Sequence, residues 1–264
     1  MDIQQRKLVR RELLKIQMQE QKLEAAAKQA KPSNWKGALE KKIPEKVYSG
    51  LQSTFCTGFS LVFKQGRKLI EMTYRKARLQ SDHQLRDWEI QRNGRSRAWR
   101  QMHKSAKKGN GLNMMATAAE GMALGALGVG LPDIVLFLST LLKGIYETAL
   151  HYGFEYETPG EQYLILRMMS ASLKSGKAWI RENARVDALL QETAFAVSPE
   201  VLKEQIQETA SVFAMDMLVL KFIQGMPIVG ILGGAANPVY YRKVLRYVQL
   251  KYKKRYLLKQ SRIN

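Results

Sequence analysis

The chain has 264 residues, 45% of them hydrophobic and 25% charged, which excludes global disorder and allows a sizeable buried core. Its 43 Lys and Arg outnumber 23 Asp and Glu, for a formal net charge of +20. Such an excess points to a polyanionic partner, either nucleic acid or an anionic membrane surface.

The charge is unevenly placed. Residues 1–112 carry a net +16, residues 113–200 a net −4 and residues 201–264 a net +8. Two basic flanks thus enclose a nearly neutral middle. Cys56 is the single cysteine, so an internal disulfide and a thiol metal cluster are both excluded. The polar start, Met1 to Arg11, has no apolar segment behind it, so a cytoplasmic location is expected.

The chain reads as all-α, with about eight helices and no period-2 alternation. Residues 3–30 form a basic helix, closed by Pro32 and Ser33, and residues 1–32 are expected to be an N-terminal extension to a helical domain at 33–264. A short helix is predicted from Trp35 to Lys41. Pro44 then occupies the N1 position of a long helix whose apolar stripe is Val47, Leu51, Phe55, Phe59, Val62 and Phe63. Leu85, Trp88, Trp99 and Met102 mark further helix in a basic stretch.

Two apolar stretches follow. Gly109 to Pro132 holds one charge, Glu120, and Phe222 to Tyr241 holds none, but glycines and prolines break both, so neither is a straight membrane span. Each contains a glycine-spaced unit, with Gly121, Gly125 and Gly128 before Pro132, and Gly230 and Gly234 before Pro238. The spacing predicts two closely packed helical hairpins. Thr158-Pro159-Gly160-Glu161 has the form of a capping box, Ser198-Pro199-Glu200 starts another helix, and Asn237-Pro238 starts the last.

No nucleotide loop, hydrolase elbow or metal spacing is present, so no cofactor and no catalytic set are expected. His83, His103 and His151 lack partners at ligand spacing. The charged residues in or beside the apolar stretches are Glu120, Asp133, Asp216 and Lys221. Glu120 is expected to pair with Lys221 or Arg242, and Asp133 sits where a helix N-terminus favours a carboxylate. Acid–base chemistry by Glu120 and Asp133 is the weakest reading. The basic candidates for a polyanion are Arg92, Arg95, Arg97, Arg100, Lys104, Lys107 and Lys108, with Lys251, Lys253, Lys254 and Arg255 near the C-terminus. For a nucleic acid, Trp88 and Trp99 would stack on bases. Basic helices beside apolar units favour the membrane surface.

Several motifs resemble the EcsC family of bacterial proteins. They are Ile43-Pro44-Glu45-Lys46-Val47, Ala119-Glu120-Gly121, Leu131-Pro132-Asp133 and Tyr152-Gly153-Phe154. Asp216, Lys221, Gln224, Pro227-Ile228-Val229-Gly230, Gly233-Gly234-Ala235-Ala236-Asn237, Tyr252 and Arg255 continue the series in order over roughly residues 35–258. The family is named for a gene beside an ABC transporter operon that affects secretion. The resemblance implies a helical, non-enzymatic protein at the inner face of the membrane, with anionic lipid and an integral membrane protein such as a transporter as partners. A nucleic-acid-binding helical protein is the alternative.

Overall fold

The computed structural model describes residues 3–29, 43–66, 70–71, 74–93, 100–102, 104–105, 131–192, 196–223 and 236–262. Among the described residues there are eight α-helices, one π-helical turn and no strand, so the fold is all-α as predicted. In chain order the helices are α1 (Ile3–Gln29), α2 (Glu45–Leu61), α3 (Lys76–Asn93), α4 (Leu131–His151), α5 (Pro159–Leu173), α6 (Gly176–Leu189), α7 (Pro199–Ile223) and α8 (Ala236–Arg262). The predicted helix at Trp35–Lys41 and the two glycine-rich units, with Glu120, Gly121, Gly125, Gly128, Gly230 and Gly234, lie outside the described residues. α4 and α8 begin immediately after those units.

The core forms where the apolar periodicity is strongest. On α2, Leu51, Phe55 and Phe59, and Val62 in the π-helical turn that follows it, are buried at three- or four-residue steps. Phe55 and Phe59 meet Phe213 of α7 with ring centres 5.6 and 5.8 Å apart. Pro44, expected at N1, is instead the N-cap of α2, in an extended conformation, and its carbonyl accepts from the amides of Val47 and Tyr48. Gly58 lets α2 cross α4 closely: a β-carbon there would stand 2.9 Å from the Ile134 side chain and 3.1 Å from that of Leu138.

α4 runs through the middle of the bundle against α2, α3 and α8. Its stretch Ile134–His151 is long and apolar enough to cross a membrane, yet 83% of it is buried among the other helices, which is how a core helix behaves. α5 is the second central helix, packed on α6, α7 and α8. Thr158 caps it by accepting from the Glu161 amide at 3.2 Å, with Pro159 next in line. Ser198 accepts similarly from the Val201 amide at the start of α7.

α1 does not stand off as an appendage. It lies against α8 and α6, and its inner face buries Gln5, Leu8, Val9, Glu12 and Ile16 at helical spacing. Gln5 donates to the Ile90 carbonyl at 2.7 Å, which holds the start of α1 against the end of α3.

Candidate functional site, a cationic surface over a buried ionic framework

The basic run near the C-terminus faces inward. Lys251 has no exposed side-chain surface and donates to Glu20 at 2.5 Å and to Asp187 at 2.6 Å. Lys254 joins the same pair of carboxylates at 2.6 and 3.0 Å. Lys253 reaches Glu12 at 2.8 Å, with both side chains at most 10% exposed. Lys251, Lys253, Lys254 and Arg255 were expected on a polyanion-binding surface. The structure corrects this: a buried charge costs several kcal/mol unless paired, and each of these has its carboxylate on a distant helix.

Arg255 completes a junction at the start of α5. Its guanidinium contacts Glu161 Oε1 at 2.8 Å and Oε2 at 2.7 Å, and Tyr252 donates its hydroxyl to Oε1 at 2.6 Å. The same guanidinium lies 4.3 Å from the centre of the Phe154 ring, a cation–π contact. Burial, reinforced by the Glu161 carboxylate, pushes the Tyr252 phenol well above its ordinary pKa. The Thr158–Glu161 box is therefore half realised. The threonine caps the helix, while the glutamate turns inward to α8. Further along α5, Arg167 is held the same way, by Glu182 at 2.7 Å and Glu208 at 3.2 Å, with Lys174 contacting Glu208 at 2.9 Å.

Inward carboxylates leave outward cations. On α1, Ile3, Lys7, Arg10, Leu14 and Met18 recur at three- or four-residue steps on the face opposite the buried one. Ile3, Leu14 and Met18 are 68%, 52% and 58% exposed. Arg6, Lys7, Arg10 and Lys22 are exposed and make no ion pair among the described residues, while Arg11 and Lys15 lean on Glu12 at 4.0 and 2.6 Å. The outer stripe of α1 thus mixes exposed apolar and basic side chains. On α3, Leu85 and Trp88 are likewise 63% and 54% exposed.

The sequence profile of the EcsC protein family matches residues 7–257, nearly the whole chain. The chain belongs to the EcsC family. No characterised protein and no solved structure matches it significantly. The EcsC match begins inside α1, so this helix lies largely within the matched region and not before it. Several residues that carried the EcsC resemblance meet in one place: Phe154, Tyr252 and Arg255 all belong to the Glu161 junction. Gly153 adopts φ +74°, and a β-carbon on it would collide with the Nε2 edge of the His83 ring. His83 Nδ1 in turn donates to the His151 carbonyl at 3.0 Å.

Of the other predicted residues, Asp216 is half-buried on α7 near Tyr240, whose phenol is pushed upward by burial and by that carboxylate. Arg100, Lys104 and Arg242 are exposed. Arg92, Pro132, Asp133, Lys221 and Asn237 stand in helices whose backbone is described at those positions, though their side chains are not, so the pairing expected for Glu120 lies outside the described residues. Arg95, Arg97, Lys107 and Lys108 also lie outside them. Sequence reasoning passed over Lys143 and Glu147, buried four residues apart on α4; two opposite charges at that spacing inside an apolar run were the available signal. It also passed over Glu12 and Glu20, the α1 carboxylates that hold α8.

Proposed function

We propose that this EcsC-family protein is a non-enzymatic peripheral membrane protein that binds an anionic membrane surface through the outer face of α1. The observation that carries the reading is the exposed outer stripe of α1, in which Lys7 and Arg10 are interleaved with Ile3, Leu14 and Met18 and Arg6 stands beside them. Each well-placed Lys or Arg near such a surface contributes about 1 kcal/mol at low salt, and the apolar side chains add a salt-resistant part. The rest of α1 stays docked on α8, so binding requires no unfolding of the bundle. An integral membrane protein such as a transporter, the partner class implied by the family resemblance, would then lie within reach on the same membrane.

The test is flotation of nuclease-treated protein with neutral and anionic vesicles at low and high salt. Point variants suit this better than deletion of residues 1–32, which would strip Lys253 of Glu12 and leave Lys251 and Lys254 with Asp187 alone. The expected result is anionic-lipid binding that Lys7→Glu with Arg10→Glu reduces at low salt, while Leu14→Ser with Met18→Ser removes whatever survives high salt. Absence of vesicle binding, with salt-dependent retention on duplex or single-stranded nucleic acid, overturns the reading.

A further inference from the structure

α6 exposes Lys177, Arg181, Ala184, Arg185 and Ala188, five positions on one helical face without a carboxylate. The two acidic residues of α6 are turned away. Glu182 is buried against Arg167 and Lys174, and Asp187 holds Lys251 and Lys254. Arg185 leans on Glu182 at 2.7 Å, while Lys177 and Arg181 make no ion pair among the described residues. A solvated helix ordinarily mixes signs, as α7 does by exposing Glu200, Lys203 and Glu204.

This stripe lies beside α1. A β-carbon on Gly176, at the start of α6, would be 4.0 Å from the carbonyl of Ala27, near the end of α1. Towards the other end of α6, Lys251 bridges Asp187 to Glu20 of α1. The two helices therefore run antiparallel and side by side, each with basic residues turned to solvent.

We infer that α6 is the second half of the lipid-binding surface, with Lys177, Arg181 and Arg185 meeting anionic headgroups alongside α1. The inference rests on the membrane reading above and extends it from one helix to a two-helix footprint. Shape favours lipid over duplex DNA. A major groove about 12 Å wide admits a single helix, whereas two packed helices with axes about 8–10 Å apart present a broad face. A lipid surface requires no protruding element. Ala184 and Ala188 leave the space between the cations open to headgroup phosphates.

The experiment compares Lys177→Glu/Arg181→Glu with a control of equal charge change elsewhere, Arg78→Glu/Lys203→Glu. The probe is vesicles of phosphatidylglycerol in phosphatidylcholine, with circular dichroism and Tm confirming that each variant is folded. The α6 variant should lose about tenfold or more in affinity, and the control much less. Equal losses in the two overturn the α6 footprint while leaving the α1 reading intact. A wild-type protein that ignores these vesicles sinks both. Should either α6 substitution disturb folding, Lys177→Gln/Arg181→Gln repeats the comparison with milder changes.

Discussion

Arg255 grips both carboxylate oxygens of Glu161 across 94 positions of sequence, at 2.8 and 2.7 Å, and thereby locks the start of α5 to the last helix. Neither side chain is more than 11% exposed. Removing one partner strands the other charge in a poorly solvated site. Glu161→Ala is expected to destabilise the fold by about 3–5 kcal/mol, and the double variant Glu161→Met/Arg255→Met by clearly less. Denaturant titration measures both; equal losses would show that the pair is not the cause.

Gly153 combines a left-handed backbone with a site closed by the His83 ring. Alanine there pays about 1 kcal/mol in backbone conformation and must also displace a ring tethered to the His151 carbonyl. Gly153→Ala should therefore lower stability by about 2–4 kcal/mol. In a His83→Ala background the same substitution should cost only the backbone part, which a double-mutant cycle would read directly.

His151 is held neutral: burial first, then the nearby Arg86, lower its pKa to about 4. His83 faces it as well, while Asp82 acts in the opposite direction. The unfolded chain takes up this proton near pH 6.5, before the folded chain does. Stability is thus full above about pH 6.5 and falls as pH drops towards about 4, by up to about 3 kcal/mol. Thermal melts across that window should show a decline that His151→Leu flattens.

α1 is attached through Glu12 and Glu20, with Leu8, Val9 and Ile16 as its buried apolar side chains. Glu20→Gln should loosen it by about 1–3 kcal/mol, since Lys251 and Lys254 would then share Asp187 alone. Hydrogen exchange should report this as faster exchange in α1 while α4 and α5 remain protected.

Local pattern made much of the fold legible. The stripe Leu51, Phe55, Phe59 and the cap at Thr158 are statements about residues three or four apart, and they appear as read. The basic run Lys251 to Arg255 is the opposite case. In sequence it resembles a solvated charge cluster, because Glu20 and Glu12, its partners, lie 231 and 241 positions away. Glu161 shows both sides at once. Its backbone role follows from Thr158 three residues earlier, while its side chain answers to Tyr252 and Arg255. Lys177, Arg181 and Arg185 had a legible spacing, but their significance depends on which carboxylates have turned inward.

The ion pairs between α1 and α8 also set an order of events during synthesis. The helix carrying Glu12 and Glu20 leaves the ribosome well before Lys251 exists. At about 5–20 residues per second, the interval between them is on the order of ten seconds or more. Throughout that time α1 has α6 but not α8 to pack against, and Glu12 and Glu20 lack their lysines. Complete attachment of the first helix thus waits for the last one, and a chain that stalls before residue 251 leaves Glu12 and Glu20 without their lysines.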